Sequence, residues 1–210
     1  MLAGAGTGKT RVITYRMAYM LSQGIDAKSI LAVTFTNKAA AEMRERVAHL
    51  VGTRDSSALT LATFHSFCAK LLRQYAPRLG YTRNFAIASS SYQTGVIRSV
   101  MSESGYEAQK EAAGGQRLLA ANQLQGQISA AKSARQTPED LRDMAETPAD
   151  KQLADIYELY QQRLQNMDTV DFDDLLVLLF RLLEEHPDLR EKYQRRFRYV
   201  LVDEYQDTNH

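Results

Sequence analysis

The residues with the clearest chemistry lie near the two ends of the chain. Ala3, Gly4, Ala5, Gly6, Thr7, Gly8, Lys9 and Thr10 follow the pattern of a phosphate-binding loop, with Ala3 in the place of the first glycine. Closely spaced glycines let successive backbone N–H groups turn inward to form a concave anion site. A side chain at Gly6 or Gly8 would obstruct that curl or the approach of the phosphate. Lys9 is expected to reach the β- and γ-phosphates of a nucleotide, and the Thr10 hydroxyl to ligate Mg²⁺. A helix starting near Thr10 would aim its N-terminal dipole at the same charge. The alternative is a small-residue turn ahead of a helix.

At the other end, Tyr199-Val200-Leu201-Val202 reads as a buried strand ending in Asp203, Glu204, Tyr205, Gln206 and Asp207. Such a strand delivers carboxylates to the C-terminal edge of a sheet, where ligands bind in α/β folds. Asp203 is expected to hold Mg²⁺, directly or through water, and Glu204 to accept a proton from the attacking water or to orient it. Gln206 and Asp207 are expected near the γ-phosphate or a coupling network. An acidic surface turn is the alternative, and the pairing with the loop argues against it.

The elements between must bring these ends together. Ile13, Met17, Met20 and Leu21 recur at helical spacing, with Gly24 as a stop. Ile30 to Phe35 is a short apolar, β-branched run, hence a buried strand. Thr36 or Asn37 caps a helix carrying Ala40, Met43, Val47 and Leu50 on one face. Leu59 to Thr63 reads as a second strand and Phe64 to Tyr75 as a second helix. Strand and helix alternating with short links is the pattern of a parallel α/β sheet.

After Pro77 the pattern changes, and from Phe85 to Asn166 no convincing buried strand appears. Thr137-Pro138-Glu139-Asp140 and Thr147-Pro148-Ala149-Asp150 are two similar helix starts: a threonine cap, proline at the first helical position, and an acid two residues on. Asp171-Phe172-Asp173-Asp174 opens an amphipathic helix with acids at its positive end, and a short helix follows His186-Pro187. The α/β pattern then resumes. Residues 1–83 and 168–210 are expected to form one α/β lobe, with 84–167 a helical subdomain inserted into it.

The bulk properties narrow the class. The 210 residues are 44% hydrophobic and 24% charged, ordinary for a soluble globular protein. No apolar run approaches a membrane span and no signal peptide is visible, so no membrane partner is expected. Cys68 is alone, which excludes a disulfide framework and a cysteine zinc site; it reads as a buried small hydrophobe. These features suit a cytoplasmic protein. The net charge of +1 hides an asymmetry. From Lys38 to Arg83 there are eight basic against three acidic residues; from Glu139 to Glu191 there are five against fifteen. The basic stretch points weakly to a polyanion on one face, and two differently solvated surfaces are the alternative.

Five stretches, G-A-G-T-G-K-T, A-V-T-F-T-N-K-A-A-A-E-M, A-T-F-H-S-F, D-F-D-D-L-L and V-D-E-Y-Q-D-T-N, stand in an order that resembles the UvrD/Rep/PcrA family of superfamily 1 DNA helicases. The resemblance covers nearly the whole chain and is weakest in the helical segment, where Ile128-Ser129-Ala130-Ala131-Lys132 also fits. It implies an ATP- and Mg²⁺-dependent motor that moves 3′ to 5′ on single-stranded DNA, unwinding at single/double-strand junctions. It also implies a RecA-like lobe with an inserted all-helical subdomain, and a second RecA-like lobe that supplies arginine fingers. In this scheme Phe35, Thr36, Asn37, Lys38, Thr63, Phe64 and His65 belong to DNA-contacting motifs. Their chemistry agrees: the two phenylalanines can offer stacking faces, while Asn37, Lys38, Thr63 and His65 can meet phosphate or sugar. Alternatively, both phenylalanines are core and His65 is structural.

Against the family pattern, only Met1 and Leu2 stand ahead of the loop, where a strand and an adenine-reading glutamine segment are expected. The chain stops at His210, before the family's next motif. The chain therefore reads as a fragment, expected to turn over ATP poorly by itself. Two rival functions stay open: the motor lobe of a RecB/AddA-like helicase–nuclease, and a non-catalytic P-loop module. Intact Lys9, Thr10, Asp203 and Glu204 argue against the second. Small-molecule kinases and GTPases do not explain the T-F-H-S and D-E-Y-Q-D stretches.

Overall fold

The computed structural model describes residues 9–106 and 118–205, the side chains of Lys9 and Asp55 excepted. The chain divides into two compact units, one comprising residues 1–69 and 183–209, the other residues 70–182.

Among the described residues the first unit contains a three-stranded parallel sheet in the order β2-β1-β5. Strand β1 (Ile30–Thr34) is central and buried along its length. It pairs with β2 (Thr60–Thr63) through Leu31 opposite Thr60, and with β5 (Tyr199–Val202) through Ile30 opposite Tyr199. An all-apolar run ending in threonine suits a strand covered on both faces. Helix α1 (Lys9–Ser22) and helix α2 (Asn37–Val51) contribute Met17, Met20, Met43 and Val47 to one core with Ile30, Ala32 and Leu61. Burying each such side chain contributes about 1.5–3 kcal/mol. Thr36 caps α2 by accepting from the Ala39 N–H at 3.1 Å. A short helix α3 (Thr53–Ala58) precedes β2, and α4 (Phe64–Tyr75) begins directly after it. Gly24, at φ +78°, makes the left-handed turn that ends α1, a conformation that favours glycine.

Strand β5 departs from expectation. It lies at the edge of the described sheet, with Val200 56% exposed and Tyr199 36% exposed. The apolar run predicts a buried strand, but β5 has one partner, β1, among the described residues, so its outward positions are not covered there.

The second unit is mainly helical. Helix α5 (Ser90–Glu103) buries Val96, Ile97, Val100 and Met101; α6 (Ala121–Ser133) buries Leu124, Ile128 and Ala131; and α8 (Pro148–Asn166) buries Ile156, Tyr157, Tyr160 and Leu164. These are i, i+3, i+4 stripes that meet in one core. The two T-P starts open α7 (Pro138–Asp143) and α8 through reciprocal caps: Thr137 Oγ1 accepts from the Asp140 N–H, and Thr147 Oγ1 from the Asp150 N–H. In return each aspartate accepts from its threonine's hydroxyl and backbone N–H, and these bonds, the backbone one first for Asp140 and the hydroxyl one first for Asp150, hold both carboxyls below their usual range. Among the described residues one strand falls within 84–167: β3 (Ala86–Ile87) pairs in parallel with β4 (Thr169–Val170). Helices α9 (Asp174–Glu185) and α10 (Pro187–Arg196) complete the described elements.

Candidate nucleotide and nucleic-acid site

Because β1, β2 and β5 run parallel, their C-terminal ends emerge on one edge of the sheet. The residues that follow them are Phe35 to Lys38, Phe64 and His65, and Asp203 and Glu204. The structure thus brings these sequence-selected residues to a single edge.

The link between the two ends of the chain is direct. Thr10, in the first turn of α1, donates its hydroxyl to Asp203 Oδ2 at 3.0 Å. Asp203 is 2% exposed, and its N–H donates to the Val33 carbonyl at 3.0 Å, continuing the pairing with β1 past the end of β5. The turn that follows puts Glu204 at φ +54°, in the left-handed region, with its N–H on Asp203 Oδ1 at 3.2 Å. The carboxylate is therefore fixed by its own strand end and by α1.

That spacing suits a magnesium ion. Two adjacent oxygens of an octahedral Mg²⁺ shell, each about 2.1 Å from the metal, lie about 3 Å apart. Thr10 Oγ1 and Asp203 Oδ2 already have that separation. A cation could take both oxygens with little movement of either, replacing the shared proton contact.

At the same sheet edge Phe35 and Phe64 meet, with ring centroids 5.2 Å apart and planes inclined at 48°. Phe35 is 36% exposed and Phe64 half-buried, so the two rings form a surface pair rather than a closed core. Asn37 and Lys38 are exposed on the first turn of α2. Thr36 is exposed, but its hydroxyl is taken by the cap of α2. Thr63 is buried; its backbone and side chain are closed into a ring of hydrogen bonds with Ser66 that starts α4. His65 is half-buried and engaged by a neighbour. Ala3 to Gly8, Gln206 and Asp207 lie outside the described residues, and Lys9 is the first residue of α1.

Sequence reasoning missed a second charged centre, inside the helical unit. Lys132 Nζ lies 2.6 Å from Asp171 Oδ2 and 2.7 Å from Asp174 Oδ1, with all three side chains 3% exposed or less. Tyr160 donates to Asp171 Oδ2 at 2.9 Å and Gln161 to Asp174 Oδ1 at 3.0 Å. Asp171 and Asp174 also accept each other's backbone N–H groups, which starts α9. The Asp174 carboxyl is raised above its ordinary value, first by desolvation and then by Asp171, against the lowering effect of Lys132. Burial is also the main reason the Tyr160 phenol is pushed up. A signal was present in the sequence: Lys132 follows Leu124 and Ile128 at spacings of eight and four, which puts it on the buried face of α6.

Among the described residues, no group of three or more His, Cys, Asp or Glu side chains is arranged to hold a metal, and no helix is long and apolar enough to cross a membrane.

A sequence model of the UvrD/REP helicase N-terminal domain matches residues 1–210. The ATP-dependent DNA helicase PcrA of Staphylococcus epidermidis and that of Staphylococcus aureus are each 40% identical to this chain over 210 residues. Those matches cover all of this chain and 28% of each relative, so the chain spans a little over a quarter of their length. Matched by that model along its whole length, the chain belongs to the UvrD/REP helicase family and corresponds to its N-terminal domain.

Proposed function

We propose that this chain is the first motor lobe of an ATP-dependent DNA helicase that moves 3′ to 5′ along single-stranded DNA. The observation that carries the reading is the Thr10–Asp203 hydrogen bond at the same sheet edge as the Phe35–Phe64 pair. In this reading a nucleotide site and a DNA track share one sheet edge. The names of the staphylococcal relatives support the same activity.

In this reading Ala3 to Thr10 cradle the phosphates of ATP, with Lys9 facing the β- and γ-phosphates. Thr10 and Asp203 hold Mg²⁺, which when bound neutralises charge on the phosphates. Glu204 takes a proton from the attacking water, and Gln206 senses the γ-phosphate. Phe35 and Phe64 stack on bases, Asn37 and Lys38 meet phosphate, and Thr36, Thr63 and His65 shape the track. Thr36 and Thr63 spend their hydroxyls on helix caps, so their part is to position the neighbouring residues. Residues 84–167 form the helical subdomain inserted between 1–83 and 168–210. A second RecA-like lobe completes the site with arginine fingers, and single/double-strand junctions are the substrate.

The test uses the full-length protein, with fluorescence anisotropy on oligothymidylate over a salt series and ATPase measured with and without DNA. Phe35→Ala is expected to weaken binding by about 1–3 kcal/mol, the scale of one stacked base, and to impair DNA-stimulated turnover more than basal turnover. Lys38→Ala should reduce the salt slope by about 0.7, the loss of one phosphate contact on a single strand. If Phe35→Ala unfolds the protein and Lys38→Ala leaves the slope unchanged, the track lies elsewhere.

A further inference from the structure

The N-terminal edge of the same sheet, opposite the candidate nucleotide site, carries a basic depression that the motor reading leaves unused. It has a volume of about 560 Å³ and lies between the Gly24–Ser29 turn ahead of β1 and the Arg195–Tyr199 segment joining α10 to β5. Lys28, Arg195, Arg196 and Arg198 line it, against a single acid, Asp26. The Asp26 carboxylate accepts the backbone N–H of Lys28 at 3.0 Å and so is partly spent within its own turn. All four basic residues are exposed.

Their local partners do not hold them. Arg195 contacts Glu191 at 2.9 Å, but the two side chains are 81% and 61% exposed, and such a surface pair contributes little. The Arg196 guanidinium sits 5.0 Å from the Phe197 ring centroid, which leaves its N–H edge available. Tyr199 forms part of the wall and is 36% exposed. Four like charges drawn from two segments far apart in sequence repel one another, and a bound anion would relieve that repulsion. Guanidinium groups match phosphate by paired hydrogen bonds, and a half-exposed tyrosine offers a base a stacking face.

We propose that this depression is a second nucleic-acid site, binding the phosphodiester backbone of a strand that extends beyond the primary track. The inference rests on the DNA-directed reading above. A strand held there would add to affinity without contacting the nucleotide-facing edge, so it would act on substrates long enough to reach it.

The experiment compares the full-length protein with its Arg195→Ala/Arg198→Ala variant. The probes are oligothymidylates of about 12 and about 60 nucleotides, sized against single-strand sites of roughly 4–16 nucleotides per module. The expected result has three parts. The long probe slows hydrogen exchange in residues 24–29 and 195–199 of the parent. The variant loses that protection and binds the long probe about tenfold more weakly at low salt, with a salt slope shallower by about 1.4, two phosphates at 0.7 each. Binding of the short probe and basal ATPase stay at parent levels. Unchanged exchange in both segments, or protection already complete without DNA, overturns the site. Equal protection by polyglutamate reassigns it to an acidic protein partner and also overturns it. Short-probe stimulation of ATPase that persists in these cases leaves the motor reading standing; its absence in the parent would count against that reading instead.

Discussion

Full-length protein carrying Glu204→Gln is expected to hydrolyse ATP at least about 10²-fold more slowly than the parent, the usual scale for loss of a general base, while Mg²⁺-dependent nucleotide binding survives. Glutamine keeps the shape and the hydrogen-bonding reach of the side chain but cannot take a proton. The backbone supports a special role for this position. Glu204 stands at φ +54°, a region that costs a non-glycine residue about 1–3 kcal/mol and persists where surrounding contacts impose it. Here those contacts are the Glu204 N–H on Asp203 Oδ1 and the extension of the ladder through Asp203 to Val33.

Asp203→Asn tests the neighbouring role. It removes the negative charge facing Thr10 and leaves one neutral amide oxygen while keeping the buried volume, so it should weaken the Mg²⁺ dependence of nucleotide binding more than it slows the bound complex. Titration of nucleotide with and without Mg²⁺ separates the two variants. Loss of metal-dependent binding in Glu204→Gln, with retention in Asp203→Asn, would reverse the assignments.

How much of this was legible in the sequence depends on where the determining physics lies. Strand β1 was legible because a short β-branched apolar run between turn signals has few other uses, and the Thr36, Thr137 and Thr147 caps because capping is local. The gathering of Phe35, Phe64 and Asp203 on one edge followed from parallel pairing alone. The exposure of Val200 did not, since the coverage of an edge strand depends on its neighbours and not on its own pattern. Strands β3 and β4 are two residues each, too short for alternation to register. Thr82 and Asp168, which hydrogen-bond beside that pair, are 86 positions apart. The basic depression was hidden for the same reason: Lys28 joins Arg195, Arg196 and Arg198 only through folding.

The Asp171–Asp174 helix start was legible and formed, but the buried Lys132 centre it carries was not, because the cation comes from α6, 39 residues before Asp171. Lys132→Met is expected to loosen the helical unit by about 3–5 kcal/mol near pH 8, the cost of leaving a buried carboxylate without its counter-ion. The sign with pH follows from Asp174. Burial already holds its folded pKa above the ordinary carboxyl value, and Lys132 is the main influence pulling it down. A carboxyl raised in the folded state contributes stability that is present below the unfolded value and is lost as pH rises through the folded one. Removing Lys132 raises the folded value further, so the defect should be large at pH 8 and shrink as pH falls through that raised value. Adding Asp174→Asn should recover part of the loss at pH 8, because it removes one of the two carboxylates that the loss of Lys132 leaves without a counter-ion, while its single oxygen can keep the Asp171 N–H and Asp171 keeps Tyr160 and the N–H of residue 174 as donors. Tyr160, on Asp171, and the Tyr157 ring, 5.9 Å from Lys132 Nζ, face the same centre and stay neutral over this range, both phenols being raised chiefly by burial. Native-state hydrogen exchange of α6 and α8 in the full-length protein reads the effect locally. A defect of equal size at pH 5 and pH 8, unrelieved by Asp174→Asn, would make Lys132 a packing residue and not the counter-ion of this centre.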